Sequence, residues 1–231
     1  MIMRTAKLIF TSGLFLLLLF RQDYTKEREA MVKIQIQARG VKDSSTLAAM
    51  RKVQRHKFVA SNQASSSYND SPLPIGYGQT ISQPYIVAYM TEIINPKSNY
   101  TVLEIGTGSG YQAAVLAEIV RKVYTVEIID KLGKEASSRL KDLGYKNIEV
   151  KIADGYSGWK EHAPFDAIVV TAAAEYIPTP LKEQLKDGGR MIIPVGSPYM
   201  TQQLMLIEKT GNKYRTTSMM PVRFVPFKRS Q

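Results

Sequence analysis

Short apolar runs alternate along the chain with stretches whose apolar residues recur at helical spacing, which is the pattern of alternating strands and helices. The clearest unit starts with the apolar run of residues 102–105, passes through a glycine-rich turn, and continues into a helix predicted over residues 112–120. An alternation of this kind predicts an α/β fold built on a largely parallel sheet. Further strands are predicted at residues 123–128, 147–152, 165–171 and 190–195.

Helices are predicted ahead of these strands and between them. Residues 31–60 are predicted to be helical with a break at Gly40, after which Asp43 or Ser44 caps a second helix. The other predicted helices span residues 84–94, 130–143 and 178–185, the last of them stopped by Asp187-Gly188-Gly189.

The remaining segments show neither the short apolar runs of strands nor the helical spacing of apolar residues. Residues 60–72 are polar and serine-rich and predict a loop, while the prolines and glycines of residues 68–84 exclude a regular helix there. An antiparallel hairpin and an extended tail are predicted to end the chain, with hairpin strands at residues 203–208 and 213–218 around Gly211-Asn212 and the tail at residues 220–227.

The glycine-rich turn reads T-V-L-E-I-G-T-G-S-G-Y over residues 101–111. Glycine lets the backbone turn sharply and approach a ligand closely because it has no Cβ. Tyr111 stands where a dinucleotide fingerprint has its third glycine. Glu127 ends the next strand about 20 residues after Gly106, where such folds place an acid that binds ribose hydroxyls. Together these features indicate a site for a nucleoside-containing cofactor.

Composition narrows the chemistry that the chain can perform. Its 231 residues include no cysteine and two histidines, His56 and His162. Disulfides, thiolate metal sites and cysteine nucleophiles are therefore excluded, and zinc sites or triads that need histidine are poorly supplied. The formal net charge of +11 is compatible with acidic partners. The basic residues are scattered rather than clustered, which argues against nucleic acid binding.

The N-terminus begins with a hydrophobic segment, in which Arg4 and Lys7 precede an apolar run over residues 8–20. The run resembles a signal peptide and is short for a membrane-spanning helix, which needs roughly 20 apolar residues. No clear small-residue cleavage site follows it. A cleaved signal, an uncleaved anchor and translation from Met31 all remain open.

Three further segments carry a specific pattern, A-M-R-K-V-Q-R-H-K-F-V at residues 49–59, Y-N-D-S-P-L-P-I-G-Y-G-Q-T-I-S-Q-P at 68–84 and P-V-R-F-V-P at 221–226. The glycine turn with Glu127 and the Asp-Gly pair at 154–155 resembles the class I S-adenosylmethionine-dependent methyltransferases. With the three segments, the chain looks like a protein-L-isoaspartate O-methyltransferase over roughly residues 39–228. It departs from that family at Gln54, where the family usually has proline, and in its hydrophobic leader.

The resemblance implies an α/β fold with a doubly wound, mostly parallel, Rossmann-like seven-stranded sheet and a C-terminal antiparallel hairpin. Two parts are expected along the chain. The hydrophobic run predicts a leader or anchor at residues 1–30, and the resemblance implies a methyltransferase domain at 31–231, in which 31–98 is helical and carries the substrate loop. Asp154 is in addition expected from the strand pattern to lie at the carboxyl edge of the sheet, where such folds bind ligands.

The same resemblance implies a set of site residues, and no metal. Ser82 is the implied catalytic residue, and Val222 and Arg223 are implied to bind the peptide substrate. The residues implied to bind S-adenosyl-L-methionine are Thr80, Ile81, Gly106, Thr107, Gly108, Gly110, Glu127, Asp154 and Gly155.

Methyl transfer to a carboxylate is a reaction that a site without a cysteine nucleophile or a histidine base can perform. A carboxyl group with a pKa near ~4 is already ionised at neutral pH, so the reaction needs no general base. It needs alignment of the reacting atoms and exclusion of water. We expect Ser82 to orient the acceptor carboxylate with a hydrogen bond, after which the methyl ester closes to a succinimide whose hydrolysis returns some normal aspartate.

Other functions compete with this interpretation. The basic charge suggests a methyltransferase acting on RNA, although residues 171–176 offer little for stacking a flipped base. A nicotinamide dehydrogenase is disfavoured by Tyr111, and a tethered, non-catalytic binder of damaged peptides is disfavoured by the intact glycine turn. The expected partners are isoaspartyl-containing peptides and proteins and no nucleic acid. We expect the catalytic domain to lie in the cytoplasm, because S-adenosylmethionine is made in the cytosol. We also expect a monomer whose membrane contact, if any, is made by residues 1–20.

Overall fold

The computed structural model describes residues 23–197 and 200–230 and is organised around one large sheet. Within these residues the strands are, in chain order, β1 (Leu73–Gly76), β2 (Gln79–Ile81), β3 (Thr101–Ile105), β4 (Lys122–Glu127), β5 (Ile148–Ile152), β6 (Phe165–Val170), β7 (Leu185–Val195), β8 (Gln202–Thr210) and β9 (Lys213–Val222).

Seven of these strands form the large sheet, in the spatial order β5-β4-β3-β6-β7-β8-β9. Strands β3 to β7 pair in parallel, and β8 and β9 pair antiparallel at one edge. The chain winds outward from β3 through β4 to β5 and then from β6 towards β9, so the strand order reverses between β3 and β6. A ligand of such a sheet binds at this reversal, beyond the carboxyl ends of the strands. The predicted doubly wound, mostly parallel seven-stranded sheet with a C-terminal hairpin is confirmed.

Helices and short turns connect the strands. The helices are α1 (Thr25–Ala30), α2 (Ser44–Lys52), α3 (Pro84–Ile93), α4 (Tyr111–Ala117), α5 (Asp130–Asp142) and α6 (Thr179–Glu183). A π-helical segment at Met31–Ile36 and 3₁₀ turns accompany them, the turns at Gln37–Arg39, Arg55–Phe58, Ser61–Ser66, Gly155–Ser157 and Lys160–His162.

Both faces of the sheet are buried, each against its own hydrophobic cluster. Val102 belongs to the cluster under α2, α3 and α4, and its neighbour Leu103 belongs to the cluster on the opposite face. Successive residues of a strand point to opposite faces, so a strand covered on both sides reads as a continuous apolar run. This explains why the run at residues 102–105 does not alternate with polar residues.

The predicted strands and helices are confirmed with shifts of a few residues at their ends, except in two places. The helix predicted at residues 178–185 ends earlier, at Glu183, and β7 starts at Leu185 and runs through Asp187-Gly188-Gly189. That prediction was wrong because Leu185 is fully buried and pairs with Phe165, so the glycines lie within an irregular stretch of strand.

The second difference lies in the N-terminal part. Residues 68–84 contain the small hairpin of β1 and β2, which the prolines and glycines concealed, and the predicted loop at 60–72 includes a 3₁₀ helix. The break at Gly40 is confirmed by its φ of 100°. Asp43 caps α2 by accepting a hydrogen bond from the Thr46 backbone N–H at 2.7 Å.

The predicted leader at residues 1–20 lies outside the described residues. In the part of the chain that the structure describes, no helix is long and apolar enough to cross a membrane. The predicted boundary between residues 30 and 31 stays a prediction. Tyr24 and Arg28, on its N-terminal side, are buried, and Arg28 Nε donates to the Arg51 carbonyl at 2.6 Å.

Candidate active site

The glycine turn leaves the carboxyl end of β3 at the point where the strand order reverses. Gly106 has a φ of 97°, and an added Cβ there would lie 2.4 Å from Thr171 Oγ1. Both the conformation and the space therefore require glycine at this position. The Gly106 N–H donates to the Val126 carbonyl at 2.8 Å, which fixes the start of the turn against β4.

Glu127 ends β4 beside this turn and is 5% exposed. Its Oε2 accepts a hydrogen bond from the Gly108 N–H at 2.8 Å, and its Oε1 accepts one from the Ile129 N–H at 2.9 Å. A carboxylate has about four acceptor positions. Glu127 therefore holds the turn in place and keeps lone pairs for the hydroxyl groups of a ligand.

We call the space beyond these residues the first cleft. It has a volume of about 530 Å³ including its open mouth. One wall comes from β2 and another from the C-terminal tail. The lining residues are Gln79, Thr80, Ile105, Gly106, Gly108, Val126, Glu127, Ile128, Ile129, Gly155, Thr171, Ala172, Val225, Pro226, Phe227 and Lys228.

Asp154 and Gly155 lie at the carboxyl end of β5, as expected, but they face different neighbours. Gly155 lines the first cleft, and an added Cβ there would lie 2.4 Å from Ile105 Cγ2. The Asp154 carboxylate accepts hydrogen bonds from Tyr156 N at 2.9 Å, Arg229 Nε at 2.9 Å and Ser230 N at 3.1 Å. Partial burial alone would raise the pKa of Asp154, but these bonds outweigh it and lower the pKa.

Glu104 lies on β3 just before the turn and is completely buried. Its Oε2 accepts a hydrogen bond from Thr125 Oγ1 at 2.5 Å, and its Oε1 has no partner among the described residues. Burial, reinforced by the nearby charge of Glu127, raises the pKa of Glu104 to about 8. No motif marks Glu104 in the sequence, although an acid inside a buried apolar strand is itself a signal of a polar partner.

A second cleft, of about 1100 Å³ including its mouth, opens on the other side of β2. The predicted residues Ser82, Val222 and Arg223 all line it, together with Arg39. Arg39 is held in place by an ion pair with Asp70 at 2.6 Å. Among the described residues, the second cleft is lined by two charged side chains, Arg39 and Arg223, and by Pro72, Thr80, Ser82, Gln83, Ile86, Thr171, Thr201, Met220, Pro221, Val222, Phe224 and Val225.

The two clefts meet at a narrow junction. Thr80 and Thr171 line both clefts and also the small space between them, which Ile81 and Ser82 share with Gly106, Thr107 and Gly108. The Ser82 hydroxyl has no hydrogen-bond partner among the described residues. Of the predicted cofactor-binding residues, Gly110 lies furthest along the turn and serves as the N-cap of α4. Thr171, Arg39 and Glu104 are residues that the sequence analysis did not assign to the site.

The first cleft has features that suit a nucleoside. Glu127 offers acceptors for ribose hydroxyls, and the glycines leave room that any side chain would fill. The unpartnered Oε1 of Glu104 borders the small space behind the turn and is a buried polar atom whose hydrogen-bonding capacity no described residue satisfies. Among the described residues, no group of three or more His, Asp or Glu side chains is arranged to hold a metal ion.

This combination of sheet order, glycine turn and acid at the end of β4 defines the chain as a class I methyltransferase. The comparison with family models is more specific, because the model of the protein-L-isoaspartate(D-aspartate) O-methyltransferases matches residues 26–231. The chain belongs to this family.

Relatives with assigned functions agree. The chain is 56% identical over 207 residues to the protein-L-isoaspartate O-methyltransferase of Opitutus terrae. This alignment covers 90% of this chain and 89% of the relative. It is 60% identical over 185 residues to protein-L-isoaspartate O-methyltransferase 2 of Syntrophobacter fumaroxidans, covering 80% of this chain and 75% of the relative.

Two solved structures share the fold. A protein-L-isoaspartate O-methyltransferase superposes with a TM-score of 0.80 at 30% identity, over 86% of this chain and 65% of that one. A Plasmodium falciparum protein assigned to the same family superposes with a TM-score of 0.77 at 26% identity, over 88% of this chain and 99% of that one. The Plasmodium falciparum protein was crystallised in complex with S-adenosyl-L-homocysteine.

Proposed function

We propose that the chain transfers a methyl group from S-adenosyl-L-methionine to the free carboxylate of L-isoaspartyl residues in damaged proteins and so initiates their repair through a succinimide. The observation that carries this proposal is the junction, where a cleft suited to a nucleoside meets a basic cleft suited to a peptide. Family membership agrees with this reading, because the relatives that share most of the chain are named for this activity.

The residues of the first cleft would hold the donor in a fixed direction. Glu127 would bind the ribose hydroxyls, while Gly106, Thr107, Gly108 and Gly110 would contact the ribose and amino-acid portions. Asp154 and Gly155 would contact the adenine, with Gly155 already lining the cleft and Asp154 bound to the tail. When bound, S-adenosyl-L-methionine supplies an activated methyl group on a positively charged sulfur.

The second cleft would present the acceptor. Ser82 would donate its free hydroxyl proton to one oxygen of the isoaspartyl carboxylate and so leave the other oxygen directed at the methyl group. A new O–C bond forms while the S–CH₃ bond breaks with its electron pair staying on sulfur, so no proton moves and no base is needed. Thr80 and Ile81 would exclude water from the junction, which keeps the carboxylate reactive.

Val222 and Arg223 would bind the peptide backbone and flanking residues, and the two arginines of the second cleft would attract acidic segments. The methyl ester then leaves the protein. The neighbouring peptide nitrogen displaces methanol to give the succinimide, and this step needs no catalysis by the enzyme. RNA is the weaker candidate because the described lining of the second cleft includes one aromatic residue, Phe224, which by itself offers no stack of aromatic rings.

The test is transfer of a radiolabelled methyl group to three substrates: an isoaspartyl peptide, its normal aspartyl counterpart and tRNA. We expect base-labile methyl esters on the isoaspartyl peptide alone. Ser82→Ala should lower kcat/KM on this peptide by roughly 100-fold, by analogy with other preorganised hydrogen-bond donors. Ser71→Ala, whose hydroxyl lies outside both clefts, is the matched control and should keep wild-type activity. Methylation of tRNA instead of peptide would overturn the proposal.

We also propose a cytoplasmic monomer, in which residues 31–231 form the methyltransferase domain and residues 1–30 a leader or anchor. The cytoplasmic location is supported by the need for S-adenosyl-L-methionine, which is made in the cytosol. Mass spectrometry of the native N-terminus tests the boundary. Because Tyr24 and Arg28 are buried against the domain, we expect a chain shortened to Met31 to be less stable than one starting before Asp23.

A further inference from the structure

Thr171 follows β6 directly and occupies the centre of the site. It lines the first cleft, the second cleft and the small space between them, a position that it shares with Thr80. A methyl group that passes from a donor in the first cleft to an acceptor in the second must cross this junction. Thr171 is therefore adjacent to the path of transfer, although neither the sequence patterns nor the proposed mechanism gives it a role.

The hydrogen bonds of Thr171 determine what its hydroxyl can offer. Its Oγ1 donates to the Gly106 carbonyl at 2.7 Å and lies 3.0 Å from the Ile105 carbonyl, which competes for the same proton. A threonine hydroxyl has one proton and two acceptor lone pairs. No hydrogen bond from another described residue is donated to this oxygen. The oxygen can thus serve the site as an acceptor, with its proton already committed to the glycine turn.

We propose that Thr171 is a positioning residue for the donor, whose Oγ1 accepts C–H···O contacts from the methyl group on the sulfonium. This inference rests on the proposed function. The C–H groups next to a positively charged sulfur are polarised, so they are better donors than ordinary methyl groups. The thioether product has neither the charge nor the methyl group, so Thr171 would favour the donor over the spent product.

This role complements that of Ser82. The Ser82 hydroxyl is free to donate, which suits an anionic acceptor, whereas the Thr171 hydroxyl accepts, which suits a cationic methyl group. The Ser82 hydroxyl would thus donate to the anionic acceptor carboxylate, while the Thr171 hydroxyl would accept from the cationic methyl donor. The Thr171 oxygen is itself fixed, because two backbone carbonyls restrict its rotation.

The test compares Thr171→Val, which keeps the shape and removes the oxygen, with Thr171→Ser, which keeps the oxygen. Calorimetry gives the dissociation constants of S-adenosylmethionine and S-adenosylhomocysteine for each variant without any peptide. We expect the valine variant to lose about three- to fivefold more affinity for the sulfonium than for the thioether, as one weak C–H···O contact implies. The serine variant should keep the wild-type ratio. The valine variant should also lose roughly tenfold in kcat, with little change in the peptide KM.

A purely structural role gives a different result. Damage to the glycine turn would weaken both ligands by the same factor, and this outcome would overturn the inference, as would a serine variant that behaves like the valine variant. The binding ratio is independent of the substrate. A wild-type chain that binds the sulfonium but does not methylate isoaspartyl peptide would refute the proposed function, while the ratio would still decide the role of Thr171.

Discussion

The two clefts that meet at Thr80 and Thr171 are constructed in different ways. The first contains three glycines, at 106, 108 and 155, and the buried carboxylate of Glu127, which already accepts hydrogen bonds from the Gly108 and Ile129 N–H groups. The second combines side chains from distant parts of the chain, and its two arginines are exposed. The Ser82 hydroxyl, predicted to be catalytic, and the Arg223 guanidinium, predicted to bind the substrate, have no hydrogen-bond partner among the described residues.

The difference in construction between the two clefts matches the difference between their proposed ligands, the methyl donor and the damaged protein. A donor of constant structure is best held by a preorganised cradle, because little ordering then remains to be done on binding. Damaged proteins present many sequences around the isoaspartyl residue, so a cleft with adaptable side chains accepts more of them. Substitutions in the first cleft should therefore have large effects on binding and stability, and those in the second cleft should have smaller effects.

The largest effect is expected from Glu104, which lies beneath the first cleft. Its pKa is raised from 4.5 to about 8 in the folded protein, so the folded state binds an extra proton between these values. The free energy of unfolding must therefore fall as pH rises through this range. We expect a loss of roughly 3 kcal/mol between pH 5 and pH 7, measured by urea unfolding.

Glu104→Gln should abolish this pH dependence, because glutamine does not titrate. The matched control is Glu149→Gln, which removes a half-exposed carboxylate on β5 and should leave the dependence in place. If the wild-type protein were equally stable at both pH values, Glu104 would be ionised or solvated in the folded state.

Gly106→Ala tests the cradle itself. The added Cβ would meet Thr171 Oγ1 at 2.4 Å, at a φ of 97° that disfavours alanine. A displaced turn should weaken binding of S-adenosylhomocysteine by about 100-fold, which calorimetry would detect.

Gly144→Ala is the control for backbone strain alone. Gly144 has a φ of 85°, and an added Cβ there would find nothing within 4 Å. This variant should lose about 1–2 kcal/mol of stability and keep its affinity. Equal losses of affinity in the two variants would show that strain, rather than the close approach at Gly106, controls binding.

The difference between the two clefts also explains which site residues could be predicted from the sequence. The glycine turn and Glu127 were recognisable because their roles follow from local spacing along one β-α-β unit. Ser82 was assigned only through resemblance to a family, since nothing in residues 68–84 shows by itself that the serine faces the junction. The hairpin of β1 and β2 that carries it was missed for a related reason, because Pro74, Gly76 and Gly78 hide its alternation.

The residues that escaped prediction depend on contacts between distant segments. Thr171 meets Gly106 across 65 positions, and Arg229 meets Asp154 across 75. Neither contact leaves a periodic signal. Asp154 was expected at the carboxyl edge of the sheet and lies there, but its bond to the tail could not be inferred from β5 alone.

In the second cleft, Arg223→Gln should have a moderate effect. We expect the KM for an isoaspartyl peptide with acidic flanking residues to rise about fivefold, with kcat unchanged, because an exposed charge contributes up to about 1 kcal/mol. A peptide with neutral flanks should be little affected, and added salt should reduce the difference. Arg215→Gln, which removes an exposed arginine of β9 outside both clefts, is the control. Equal losses on both peptides would exclude charge recognition by Arg223.

The smallest effect is expected where the tail closes the first cleft. Arg229 pairs with Asp154 at 2.9 Å and stacks over the Tyr156 ring at 3.7 Å, and residues 225–228 just before it line the cleft. Because the pair is half-exposed, Arg229→Ala should speed the dissociation of S-adenosylhomocysteine by only two- to threefold, roughly what a surface ion pair contributes. Stopped-flow measurements with Arg215→Ala as control would resolve this. A slower dissociation would mean instead that Arg229 withholds Asp154 from the adenine, and the tail would then oppose binding by the first cleft rather than complete it.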